Sequence, residues 1–259
     1  MIGRCIYVWK LAPVIAAEGG VDKMVEKAKR AKLSAIWVKI ADGTTPHANV
    51  TSTTATKLKQ LINTAKSNGV EIWGWQVPHC ATIAAAAAEA KVALDITKRL
   101  GLPGLIMDAE GGSDFFHGGL PEAIAYADAM RAGCDALGIP LAISSNDIPQ
   151  NITNWLPRFT AIAQRAHYNF PQTYYGSSPS VVHRVDRAVT ANAHIAAPFV
   201  PVGAAWIGDG GGCSSASACA ERAREFIRLC GERNYQGYSF WHWGGAPLAF
   251  WEVLNTVPA

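Results

Sequence analysis

Two carboxylates, Asp108 and Glu110, stand one residue apart at the end of an apolar run, in the stretch "PGLIMDAEGG" at 103–112, and a glycine pair follows at once. In an extended segment alternate side chains share a face, so both acids point with Ile106, while Leu105, Met107 and Ala109 point the other way. Two carboxylates held close together cannot both ionise cheaply. One keeps its proton toward neutral pH and becomes available as a general acid. The competing reading of the same residues is structural, with Asp108 capping backbone or pairing with Lys39 and Glu110 solvated in a loop.

Which reading holds depends on the elements that position the pair. Eight short apolar, β-branched or aromatic runs are predicted strands, at 5–11, 34–41, 70–77, 104–110, 140–145, 166–172, 199–206 and 237–243. Between and after them, amphipathic stretches predict helices near 19–32, 53–68, 82–100, 120–137, 153–165, 179–192, 215–233 and 246–255. Asn68-Gly69, Gly101, Gly138 and Gly231 fall where these helices should stop in a left-handed cap. Strict alternation implies parallel strands joined by right-handed crossovers, and eight units in a chain of 259 residues predict one α/β domain over 1–259, a closed (β/α)8 TIM barrel. An open doubly wound sheet is the alternative. It would carry a glycine-rich fingerprint after its first strand, and "KLAPVIAAEGG" is not one.

In such a barrel the active site is built where the strands end. Strand one ends at Trp9 and Lys10, strand two at Lys39 and Asp42, strand three at Trp75, Gln76 and His79, and strand four at Asp108 and Glu110. Strand five supplies Ser144, Ser145, Asn146 and Asp147, strand six Gln172, Tyr174 and Tyr175, strand seven Trp206 and Asp209, and strand eight Trp241, His242 and Trp243. The expected substrate-contacting set is Asp42, Lys39, Trp75, His79, Asn146, Gln172, Tyr174, Trp206, Trp241 and His242. Flat indoles beside amides and hydroxyls suit sugar rings, which have C–H faces and hydroxyl rims. Trp37 and Trp73, inside their strands, are expected in the core. The "GDGGG" run at 208–212 follows strand seven, a common phosphate-binding place, but no GK[ST] follows and a loop is the expected reading. Asp108, Glu110, His79 and His242 could be imagined around a metal, yet HxH and HExxH spacings are absent, so neither metal nor cofactor is expected.

Composition narrows the function classes. About half the chain is apolar (49%) and 17% charged, enough to bury a large core without metals or disulfides. The net charge is +3. Lys23, Lys27, Lys29, Arg30 and Lys32 crowd one helical segment without interleaved aromatics, which reads as a solvated face and not a nucleic-acid surface. No apolar run reaches the roughly 18 residues of a membrane span. Lys10 and Pro13 interrupt the N-terminal apolar segment, so no signal peptide is evident. The six cysteines lack CxxC spacing; Cys213 and Cys219, in "GGGCSSASACA", are either a local disulfide or two free thiols. Oligomeric state is unreadable from the chain.

"AIWVKIADG" at 35–43 resembles the second-strand "KATEG" pattern of family 25 glycoside hydrolases, the peptidoglycan-cleaving muramidases. "LIMDAE" at 105–110 is similar to that family's fourth-strand D-x-E, "PLAISSN" at 140–146 to its fifth strand, and "FWHWG" at 240–244 to its closing strand. The resemblance implies a glycosidase acting on an N-acetylated polysaccharide outside the cytoplasm, secreted or phage-delivered. It places the catalytic glutamate on Glu110, its companion aspartate on Asp108 and the second-strand acid on Asp42. The chain departs from the family pattern where "CIYVWKL" carries no first-strand acid, where His242 replaces a glutamine and where Asp42 replaces a longer glutamate. A non-catalytic glycan-binding or structural barrel, in a phage tail or at a cell surface, is the alternative.

Overall fold

The structure is a computed structural model that describes residues 2–258, so the outermost residues of the expected 1–259 domain lie outside the described residues. Eight parallel strands form the barrel, β1 (Gly3–Val8), β2 (Ala35–Asp42), β3 (Glu71–Val77), β4 (Leu105–Asp108), β5 (Leu141–Asn146), β6 (Tyr168–Gln172), β7 (Val202–Ala204) and β8 (Gly237–Trp241), and the two residues Thr45–Pro46 add a short antiparallel edge to β2. The eight pair in the order β6-β5-β4-β3-β2-β1-β8-β7. Closure runs through a single parallel bridge between Asn169 and Phe199 just ahead of β7. There the Val200 N–H donates to Asn169 O at 2.8 Å and the Asn169 N–H to Pro198 O at 3.0 Å. The result is the expected (β/α)8 barrel, nearly closed. No helix among the described residues is long and apolar enough to cross a membrane.

Nine helices of the described chain wrap the sheet: α1 (Leu11–Glu18), α2 (Val21–Arg30), α3 (Ser52–Ser67), α4 (Ile83–Leu100), α5 (Leu120–Leu137), α6 (Trp155–Ala163), α7 (Val181–Asn192), α8 (Ala216–Glu232) and α9 (Leu248–Thr256). Strand parity separates two cores. One set of side chains, including Ile6, Val38, Ile40 and Met107, faces the helices. The other fills the barrel with Cys5, Tyr7, Trp37, Trp73, Trp75, Ile106, Ala142, Phe170 and Val202. The interior is packed rather than hollow, as Trp37 and Phe170 lie with ring centroids 4.7 Å apart and planes 1° from parallel. Trp37 and Trp73 are core residues, as expected.

Three expectations need correction. The first strand was expected to run to residue 11, but it stops at Val8 and Leu11 opens α1. Pro13 is tolerated there because its missing N–H would be unpaired in a first turn anyway. The Leu11 N–H is instead capped by Asn49 Oδ1 at 2.8 Å, a partner far along the chain. Gly101 and Gly138 do end their helices in the left-handed conformation. Gly231 does not, because α8 continues through it and Asn234 takes the positive φ of 53°. Strand seven shrinks from the expected 199–206 to three residues, since its Pro198–Val200 stretch meets β6 by the isolated bridge only. The six cysteines are free thiols, all buried.

Candidate active site

Asp108 ends β4, and β4 pairs with β5 so that Asp108 lies opposite Ser144. The Ala109 N–H extends this pairing by one bond to Ser144 O at 2.9 Å, which carries Glu110 just past the rim. Two residues on, β6 ends at Gln172, paired with Asn146 of β5. These neighbouring ends bring the amides onto the acids. Gln172 Nε2 donates to Asp108 Oδ1 at 3.2 Å and to Glu110 Oε1 at 3.0 Å, and it lies 3.4 Å from Ser144 Oγ. Asn146 Nδ2 reaches Glu110 Oε2 at 3.4 Å, while its Oδ1 accepts from the Gly111 N–H at 2.8 Å. The glycine after the acids is needed for space: a Cβ on Gly111 would stand 2.5 Å from the Trp155 ring.

Burial decides the protonation. Asp108 is only 4% exposed. Desolvation raises its pKa, against the opposing pull of the Ser144 and Gln172 hydrogen bonds and the Lys39 charge. Glu110 is pushed up further, first by burial and then by the charge of Asp108, with Gln172 opposing. The two acids therefore differ in the intended sense, one holding its proton more firmly than the other. Asp42 goes the opposite way. Burial works to raise it, but Lys39 Nζ at 2.6 Å from its Oδ2 and His79 Nε2 at 2.6 Å from its Oδ1 prevail and hold it low. For His79, burial favours the neutral ring, but the Asp42 bond and the Phe115 carbonyl at 3.1 Å outweigh it and raise the pKa.

The acids open into a cup of about 390 Å³, whose walls include Trp9, Lys39, Trp75, Phe115, Tyr174, Trp206 and Trp241. Of the residues expected here, Lys39, Trp75, Gln172, Tyr174, Trp206 and Trp241 line it with the two acids. Trp75 is floor, 1% exposed, with its indole N–H on Trp37 O at 3.1 Å. Tyr174 packs edge-on to Trp206 at 4.9 Å. Asn146 supports Glu110, and at the rim Asp42 bridges Lys39 and His79, one on each carboxylate oxygen. His242 is not in the cup. It lines a neighbouring cleft, where burial depresses its pKa.

Tyr7 went unread in the sequence because it lies inside an apolar strand, yet its ring sits among Trp37, Trp75 and Trp241, with centroids 4.8, 5.9 and 5.5 Å away. Its hydroxyl is buried without a hydrogen-bond partner among the described residues, and burial followed by the Asp108 charge keeps it protonated. It occupies the strand that lacks an acid. The only signal available was parity, since Tyr7 shares the Cys5 face that points inward.

No protein-family model matches this chain, and no curated protein matches it in sequence. Solved structures do resemble it in fold. A class V chitinase from Pseudomonas fluorescens superposes with a TM-score of 0.68 at 13% identity, covering 99% of both chains. A family 18 N-acetylglucosaminidase from Paenibacillus barengoltzii gives 0.66 at 12% identity, over 98% of this chain and 99% of that one. The spore cortex-lytic enzyme of Bacillus megaterium gives 0.63 at 12% identity, over 97% of this chain and 73% of that one. At these identities the likeness establishes a shared barrel fold.

Proposed function

We propose that this protein is a glycosidase that hydrolyses a β-linked, N-acetylated polysaccharide, with peptidoglycan as the leading substrate. The observation that carries the reading is the single amide, Gln172 Nε2, that reaches both acids, Asp108 buried and Glu110 half-buried, in an indole-walled cup. The barrel's likeness to structures described as a chitinase, an N-acetylglucosaminidase and a cortex-lytic enzyme supports the substrate class. Peptidoglycan is favoured by the family 25 resemblance and by the cortex-lytic neighbour.

Glu110, protonated because it is buried beside a second carboxylate, gives its proton to the glycosidic oxygen as the bond to the anomeric carbon breaks. Asp108, ionised, stabilises the positive charge that develops on the sugar, either directly or by orienting the substrate's acetamido oxygen to attack the anomeric carbon. The acetamido route suits a site with no first-strand acid and a buried tyrosine hydroxyl in its place. Water then opens the intermediate, with Glu110 taking the proton it needs. The shared Gln172 amide keeps one oxygen of each acid near the other, which supports the acetamido route over inversion, where the carboxyl groups stand roughly 6.5–9.5 Å apart.

The test is release of reducing ends from purified cell wall and from chitin-type oligosaccharides by wild type and Glu110→Gln. The proposal expects a loss of roughly 10³-fold or more in the variant. Equal release would remove Glu110 from the chemistry, and binding without release by wild type would favour a glycan-binding barrel, the reading to which the absent first-strand acid lends weight.

A further inference from the structure

His79 stands at the mouth of the cup, between two segments that wall it. Its Nε2 lies 2.6 Å from Asp42 Oδ1 at the end of β2, and its Nδ1 lies 3.1 Å from the Phe115 carbonyl in the loop that follows β4. Both partners are acceptors only. A neutral imidazole carries one N–H, so it satisfies one of the two and turns a lone pair toward the other; the ring makes both bonds only as an imidazolium. The residue is fixed from both sides. Its backbone N–H donates to Glu89 Oε2 at 2.7 Å, and that carboxylate, 4% exposed on α4, also accepts from the Cys80 N–H at 2.9 Å. From the loop, the His117 N–H donates to His79 O at 2.8 Å, and the two imidazole rings stack with centroids 5.4 Å apart.

What the two ring bonds hold is functional surface. Phe115 lines the cup with the two acids, and Asp42 gives its other oxygen to Lys39, which lines the cup too. We propose that His79 is a positioning residue, a protonated latch that ties the loop after β4 to the end of β2 and so keeps Phe115 closed against a bound glycan. The proposal rests on the glycosidase reading for what the cup holds, whereas the latch itself is a property of the free protein. The charged and titratable groups around the ring are Asp42 and, beyond it, Lys39 from β2, Glu89 from α4 and His117 from the loop. Burial works against the charged ring, but the Asp42 bond, the Phe115 carbonyl and the charges of Asp42 and Glu89 prevail and raise its pKa. A group with a raised folded pKa keeps its interaction below that value and loses it as pH climbs through it. When the ring loses a proton, the remaining N–H stays on the carboxylate, the stronger acceptor, and the bond to Phe115 O is the one given up.

The experiment has one arm without substrate and one with it. Nitrogen-15 shifts of the His79 ring in the wild-type protein report its protonation, and hydrogen exchange of residues 111–118, corrected for the intrinsic effect of pH, reports the loop. Expected are two protonated nitrogens at about pH 6, a midpoint above the ordinary histidine value, and loop exchange that speeds by about tenfold across that midpoint. In His79→Gln, exchange in 111–118 should be fast and independent of pH over the same range, with α4 and α5 protected as in wild type. On β-linked N-acetylglucosamine oligomers at about pH 6, the variant should show KM raised about fivefold with kcat lowered less than about twofold, the mark of binding lost equally from ground and transition states. A ring that is neutral at that pH, loop exchange that ignores the ring's titration, or a loss in kcat at unchanged KM overturns the latch and leaves the glycosidase reading intact. Ring and loop behaving as expected in a wild type that cleaves no glycan overturns the glycosidase reading and leaves the latch standing.

Discussion

Gln172 donates one amide to both acids, so its removal separates their chemistry from their packing. In wild type, catalysis requires Asp108 ionised and Glu110 protonated. Both pKa values are raised, so activity should be lost as pH falls through the Asp108 value and lost again as pH rises through that of Glu110, with the alkaline midpoint near about 8. Gln172→Leu withdraws hydrogen bonds that favour both charged forms. Both limbs of the kcat/KM profile should then move to higher pH, by about one unit, with lower activity throughout. Limbs that stay put would show that the amide only fills space. Glu110→Gln should also stabilise the fold. A buried acid with a raised pKa binds its proton more tightly folded than unfolded, so stability falls as pH climbs from the unfolded value to the folded one. Removing that term should raise the melting temperature at pH 8 by roughly 2–4 °C, the shift that about 1 kcal/mol produces in a chain this size, and by little at pH 4. The pairing of these acids was legible, because alternation in "LIMDAE" puts both on one face. Tyr7 was not, since a hydroxyl inside an apolar strand has no local signature.

Among the elements, α1 shows where periodicity fails. "KLAPVIAAEGG" continues the apolar composition of β1, and nothing local marks the break at Trp9 and Lys10; the cap comes from Asn49, a buried residue that also donates to Trp9 O at 2.8 Å and Lys39 O at 3.0 Å. One side chain thus ties the end of β1, the start of α1 and the rim of β2 together. Asn49→Ala should cost about 2–3 kcal/mol, read as a lower urea midpoint with unchanged slope, because it orphans three backbone groups in a dry environment. The eight strands were easier to read. Each is short, β-branched or aromatic, and bounded by glycine or a polar cap, whereas the ends of β7 and β4 depended on which neighbour offered a partner.

At the scale of the whole molecule, the end of the barrel opposite the cup is held by Arg4, a guanidinium 1% exposed that pairs with no acidic side chain among the described residues. Its donors go to Ala31 O at 2.7 Å, Leu254 O at 2.9 Å, Val257 O at 3.3 Å, Pro258 O at 2.6 Å and the Tyr238 hydroxyl at 2.9 Å. Those carbonyls close α2 and α9, so the cation meets the negative ends of two helix dipoles and binds the chain's last helix to its first strand. Arg4→Met should lower stability by about 2–4 kcal/mol in chemical denaturation while leaving kcat of the folded protein unchanged, because no part of the clamp touches the cup. The strand count and closed barrel could be read from the order of elements, since alternation allows few topologies. The clamp could not be read, because it joins residues from opposite ends of the chain.

The central claim is that a glycan lies across Glu110 with its bridging oxygen presented to that acid. A crystal structure of Glu110→Gln soaked with an N-acetylglucosamine oligomer tests it most directly. The account predicts sugar rings in the cup between Trp241 and Trp206, with a glycosidic oxygen within about 3.2 Å of the residue 110 amide and an acetamido group turned toward Asp108. An oligomer bound elsewhere on the surface, or an empty cup at saturating ligand, would contradict it.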